Sequence, residues 1–165
     1  MRLVSPSSQW QPAFLEMARE HEAAGEHRYA LALRDFDAYV RKAETGRRGE
    51  NLPAGWVPGI ELWLEHDGEI IGGVRLRLRL NPELEIEGGH IGYDVRPSMR
   101  RRGYGTALLR LALVEARAFG IDRIRVTCDD DNIGSINVIE RNGGRLSGRG
   151  VSKETGKALR QYWIE

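Results

Sequence analysis

Between Val95 and Thr106 the chain reads Val-Arg-Pro-Ser-Met-Arg-Arg-Arg-Gly-Tyr-Gly-Thr, an apolar strand end followed by an arginine- and glycine-rich turn that opens into an amphipathic helix. These residue types in this order make an anion cradle. Gly103 and Gly105 let backbone N–H groups approach a ligand without Cβ interference. The helix N-terminus adds a partial positive charge, and Arg100, Arg101 and Arg102 add full ones. A pyrophosphate would fit there.

Other residues able to do chemistry carry plainer readings as well. Asp129, Asp130 and Asp131 are consecutive, so after a strand they point in different directions, and nothing nearby completes a coordination shell. They read as a solvated turn with helix N-terminal charge, and no metal is expected. Arg75, Arg77 and Arg79 share one strand face at period two, a row that could meet nucleic acid or an anionic acceptor but is more often the wet side of a sheet. Cys128 belongs to the apolar set of its strand and reads as packing rather than as a nucleophile. Trp56, Trp63 and Trp163 fit either a pocket lining or a core.

The elements that must position these groups follow from hydrophobic period. A short apolar start at Leu3 and Val4 precedes a helix that opens at Pro12 and ends near Gly25. A second helical pattern runs from about Tyr29 to Val40 and fades by Thr45 to Gly49. Residues 46–59 read as a loop. Ile60, Leu62 and Leu64 then alternate, Asp67-Gly68 gives a turn, and alternation resumes from Ile70 to Leu80, which makes a hairpin. A third strand is expected over Glu85–Val95, with Gly88, Gly89 and Gly92 marking a bulge or a close backbone approach. Residues 103–119 give the clearest helix, followed by a strand through Ile124, Val126 and Cys128 and a helix from Asn132 to Arg141. Strands over Arg145–Val151 and Ala158–Ile164 complete the chain. The expected class is mixed α/β, a mostly antiparallel sheet with helices on both faces and one parallel strand pair around the 103–119 crossover.

At 165 residues the chain suits a single domain spanning 1–165. A net charge of +1 argues against a polyelectrolyte binder, so a nucleic-acid partner is not expected and electropositive sites must arise by local clustering. One cysteine excludes an intrachain disulfide framework, and no apolar run suggests a membrane span or a secretory leader. A cytoplasmic location is the expectation. Oligomeric state stays open, a homodimer included.

The segment Arg100-x-x-Gly103-x-Gly105, placed after a strand and opening a helix, resembles the Q/R-x-x-G-x-G/A motif of the GNAT acetyltransferase superfamily. The run from Asn132 through Ser135, Asn137, Val138 and Glu140 to Gly143 resembles that superfamily's second signature. His90-Ile91-Gly92-Tyr93-Asp94-Val95-Arg96-Pro97 and Asn142-Gly143-Gly144, with the ending Arg160-Gln161-Tyr162-Trp163-Ile164, are similar to a subgroup of bacterial predicted acetyltransferases of undefined acceptor. The resemblance implies an acetyl-CoA site at the splayed ends of the strands ending at Val95 and Cys128. The pantetheine would bond backbone groups near Asp94 and Val95. Its pyrophosphate would rest on the turn from Arg101 through Arg102, Gly103, Tyr104 and Gly105 to Thr106, with Arg100 beside it. Asn132, together with Ser135 or Asn137, would hold the arm from the other side.

For the reaction, the resemblance implies direct transfer of acetyl to the amine of a small molecule or a protein, without a covalent enzyme intermediate. The Val95 backbone N–H would polarise the carbonyl. His90 lies where relatives often carry a glutamate base, and an unperturbed imidazole titrates near ~6.5. A core hydrogen bond is the equal alternative for it. Many relatives place a tyrosine acid four residues before the final glycine of the second signature, where this chain has Ile139. Tyr93, Tyr162 or water would then substitute. A non-catalytic acetyl-CoA sensor is the competing reading.

Overall fold

Apolar–polar alternation becomes strand along most of its predicted length, and the computed structural model describes residues 1–165. The strands are β1 (Arg2–Val4), β2 (Gly59–His66), β3 (Glu69–Arg77), β4 (Ile91–Val95), β5 (Ile124–Asp129), β6 (Arg145–Val151) and β7 (Ala158–Ile164). The helices are α1 (Gln11–Ala23), α2 (Ala30–Arg34), α3 (Phe36–Arg48), α4 (Pro82–Ile86), α5 (Tyr104–Ala118) and α6 (Ile133–Arg141).

Two departures from the periodicity have local causes. The helical pattern after Tyr29 breaks at Asp35, whose extended backbone and side chain, accepting from Ala38 N–H at 2.8 Å, cap a new helix. That helix, α3, persists to Arg48 and stops at Gly49, which takes a left-handed φ of 71°. The strand expected over Glu85–Val95 exists only from Ile91. Asn81 caps Leu84 N–H at 2.9 Å and Pro82 opens the short helix α4, so Glu85 and Ile86 lie in a helical turn.

The strands form two sheets, ordered β1-β2-β3-β4 and β5-β7-β6, with every pairing antiparallel. Opposite faces of the first sheet are covered by different cores. Ile60, Leu62, Val74 and Leu76 pack with Leu108, Leu109, Ala112 and Ala116 of α5 and with Ile124 and Val126 of β5. Trp63 and Ile70 on the other face meet Phe14, Met17, Tyr29, Phe36 and Tyr39 of the N-terminal helical segment. Strand alternation therefore sends Glu61, Arg75 and Asp94 to that second face, where the aromatic core gives way to a polar row.

β4 and β5, joined by the α5 crossover, belong to different sheets. The bonds between them come from the residues just before β4, reaching β5 at Arg125 and Thr127. His90 N–H donates to Arg125 O at 2.8 Å, Arg125 N–H donates to His90 Nδ1 at 2.9 Å, and Gly88 N–H donates to Thr127 Oγ1 at 2.9 Å. Beyond these bonds the strands diverge and a cleft opens. No helix is long and apolar enough to cross a membrane.

Candidate active site

Two features flank the divergence of β4 and β5: a turn rich in free donors and a cleft with a charged floor. From Arg101 through Thr106 no backbone N–H donates to any protein acceptor, while Met99, Arg100 and Ala107 on either side are bonded to Arg96, Pro97 and Gly103 carbonyls. Arg101 and Gly103 both take positive φ, 61° and 86°, the alternation that turns successive N–H groups into a concavity. Arg101 is one of few non-glycine residues in that conformation, so backbone strain coincides with the donor cluster. A Cβ on Gly103 would meet nothing within 4 Å, which places this glycine against open space in front of the α5 N-terminus. Free amides and a helix dipole together fit a diphosphate.

The ladder with β3 fixes which groups of β4 face the divergence. Arg77 N–H donates to His90 O and Arg96 N–H donates to Ile71 O, so even-numbered residues of β4 bond to β3. Asp94 accordingly turns its backbone to Gly73, whereas Tyr93 and Val95 turn theirs away from β3. The cleft itself has a volume of about 1150 Å³. Tyr93, Cys128, Asn132 and Ser135 line it at the strand divergence, Glu61, Arg75, Arg77 and Gly92 on the face of the first sheet, and Trp56 on the loop above.

Buried electrostatics organise the floor. Asp94 accepts from Arg28 Nη1 at 2.7 Å, Tyr29 OH at 2.8 Å and Arg75 Nη2 at 3.2 Å, with His21 Nε2 3.3 Å away. Burial opposes its ionisation, but the His21 contact and the Arg28 and Arg75 guanidiniums outweigh it and hold the carboxyl at about 2. Gly73 makes this possible, since a Cβ there would lie 2.5 Å from the Tyr29 hydroxyl. Glu61 behaves oppositely. Its Oε1 accepts from Tyr39 OH and from Trp63 Nε1, both neutral donors, and burial raises its pKa despite those bonds and the nearby Arg75.

Several residues singled out in the sequence occupy other roles. His90 does not line the cleft: its Nδ1 lone pair is used by Arg125 N–H, and burial followed by the Arg77 charge lowers its pKa. An imidazole fixed in that tautomer joins strands and has no free lone pair with which to take a proton. Tyr162 is fully buried in the main core, 3.3 Å from Glu140, away from the cleft. Asn137 is exposed on α6 and does not line the cleft. Arg100 spends its guanidinium on Val95 O at 2.9 Å and Glu26 at 2.7 Å, bracing the turn from behind. Arg102 lies against Met99 and Tyr104, whose ring also packs near His66. Asn132 caps α6 through Ser135 N–H at 3.0 Å and also borders the cleft.

Tyr93 alone of the tyrosines considered reaches the divergence. Its hydroxyl is buried without a hydrogen bond of good geometry, Ser135 and Cys128 lie beside it, and burial raises it to about 12. Cys128 is likewise pushed up to about 11 by burial, as a packed thiol should be. Ile139 is fully buried under Gly144 and does not approach the cleft. Among the tryptophans, Trp63 serves the aromatic core and Trp163 stacks under Arg123 and Arg125. Arg75 and Arg77, read from strand period as a shared face that is more often wet, line the cleft floor, and Glu61 beside them was missed because strand period does not say what covers a face.

The family model for the acetyltransferase (GNAT) family matches residues 25–144. The chain belongs to that family. No curated protein sequence matches it. Among solved structures, the fold is similar to the microcin C7 self-immunity acetyltransferase MccE in complex with acetyl-CoA and AMP, at TM-score 0.72 and 15% identity over 98% of this chain and 89% of that one. It is also similar to Mycobacterium smegmatis RimJ in complex with CoA-disulfide, at TM-score 0.73 and 18% identity over 98% of this chain and 80% of that one. A third is the Salmonella typhimurium enzyme that modifies the N-terminal serine of ribosomal protein L7/L12, at TM-score 0.68, 18% identity, and 98% and 92% coverage.

Proposed function

We propose that this protein transfers acetyl from acetyl-CoA to a primary amine by direct attack, with the diphosphate held by the backbone donors of Arg101–Thr106. The unpaired N–H groups of that turn are the observation that carries the reading. Arg101 and Arg102 add charge beside it, and Asn132 and Ser135 border the pantetheine path from the α6 side. Bound there, acetyl-CoA supplies the acetyl group as a thioester.

Val95 N–H, turned away from β3 where β4 leaves β5, donates to a carbonyl oxygen and stabilises negative charge as it develops. Glu61, raised by burial and lining the same cleft, takes the proton from the attacking amine, directly or through water. Tyr93 supplies a proton to the departing sulfur as the C–S bond breaks and the C–N bond forms. Ile139 leaves that acid position unfilled, and Tyr93 approaches the same divergence from β4, so the substitution does not favour a binding-only sensor.

The test is release of free CoA in the presence of an amine panel, with acetyl-CoA binding measured separately by calorimetry. Glu61→Gln should lose roughly 10²-fold or more in rate and flatten the rise of rate with pH, while acetyl-CoA affinity holds. Binding without turnover on any amine would reject the transferase reading.

A further inference from the structure

Arg75 and Arg77 stand two apart on β3, so both side chains lie over the same face of the sheet. Both reach sideways across β4: a Cβ built on Gly92 would lie 3.9 Å from Arg75 Nε and 3.9 Å from Arg77 Nη1. Two guanidiniums thus lie together over Gly92 on the cleft floor. Their charges are incompletely matched. Asp94 is the single carboxylate that pairs with Arg75, and it is shared with Arg28. Arg77 has no carboxylate partner at all; its Nη1 donates only to the Gly88 and Gly89 carbonyls, at 3.3 and 3.1 Å. Desolvation and the neighbouring Arg75 charge both press on its ionised form. Glu61 makes no ion pair with any of the three arginines.

We infer that this floor binds the anionic group of the acceptor, so that the acceptor is a small primary amine carrying a carboxylate or phosphate. The inference deepens the transferase reading and rests on it. Two adjacent guanidinium forks suit a planar, two-oxygen anion, and a carboxylate placed over Gly92 relieves the unpaired Arg77 charge. From there a short linker carries the amine toward the β4–β5 divergence. A polyanion suits the same cleft less well, because its lining also carries Glu50, Glu83, Glu87, Asp129 and Glu154 against Lys42 and Lys153.

Matched acceptors test this: glycine, β-alanine and 4-aminobutyrate against ethylamine, propylamine and butylamine, with phosphoethanolamine distinguishing phosphate from carboxylate. At least one anionic amine should exceed its uncharged counterpart in kcat/KM by about tenfold or more. Arg77→Gln should collapse that ratio toward one, and Arg77→Lys should restore part of it, with circular dichroism confirming that both variants fold. Equal rates within every pair, or a preference untouched by Arg77→Gln, would overturn the anion site. Should no amine turn over, calorimetry of the same amino acids on CoA-loaded protein decides. Binding abolished by Arg77→Gln then upholds the anion site while the transferase reading falls, and absence of binding overturns the site.

Discussion

His90 shows how much a residue's neighbours decide. A histidine on the strand leading to Val95 invites a role as base, yet its acceptor nitrogen is committed to Arg125 N–H at the point where β4 and β5 are held together. Loss of that acceptor leaves a backbone donor unpaired, at a cost of about 1–3 kcal/mol. His90→Ala should therefore lower the urea midpoint and leave the pH dependence of the rate intact; loss of an ionisation from the pH–rate profile would return the base to His90. Glu61 is the converse case. Its position among strand residues marks it only as polar; Trp63, two residues along the same strand, and Tyr39, brought in from α3, together bond the carboxylate and help to bury it.

At the scale of elements, the strand–turn–α5 unit holds the donor turn, and Glu20 and Glu26 tie it to the N-terminal helical segment. Its two glycines do different work. Gly103 carries a left-handed φ in front of open space, whereas a Cβ on Gly105 would approach Val138 Cγ2 to 3.2 Å and Val95 Cγ2 to 3.6 Å. Gly103→Val should weaken acetyl-CoA by more than tenfold in calorimetry and lower the melting temperature through backbone strain alone, since its Cβ meets no neighbour. Gly105→Val should lose affinity and melt earlier still, because the crowding falls between α5, α6 and β4. Equal melting temperatures for the two variants would contradict this division. The turn is tied to β4 and to Glu26 by Arg100, which donates to Val95 O and to the Glu26 carboxylate.

Across the whole molecule, Asp94 joins parts that are distant in sequence. It links α1 through His21, the α2 approach through Tyr29 and Arg28, and β3 through Arg75, and Glu26 continues the chain of contacts from His21 to Arg100. Its native pKa of about 2 lies below the ordinary 3.8, so it contributes about 2 kcal/mol of stability above pH ~4 that is lost as pH falls toward 2. Urea titrations from pH 6 to pH 2 should show that loss in the wild type. Asp94→Asn should be less stable at pH 6, with Arg28 and Arg75 left uncompensated, and flatter at acid pH. Parallel pH curves for the two proteins would contradict the assignment.

Most of the element order, the donor turn and the family were legible along the chain, because hydrophobic period and glycine placement are local properties that a helix or turn must satisfy within a few residues; α4 and the break before α3 were not legible from that period. Helix boundaries near Asp35 and Asn81 were readable in principle from their capping chemistry. Only the tertiary structure decided that His90 fastens two strands, that Tyr93 faces the divergence, and that Glu61, Arg75 and Arg77 form a cleft floor. Those roles depend on which distant chains cover each face of a strand, and alternation along a strand carries no record of that.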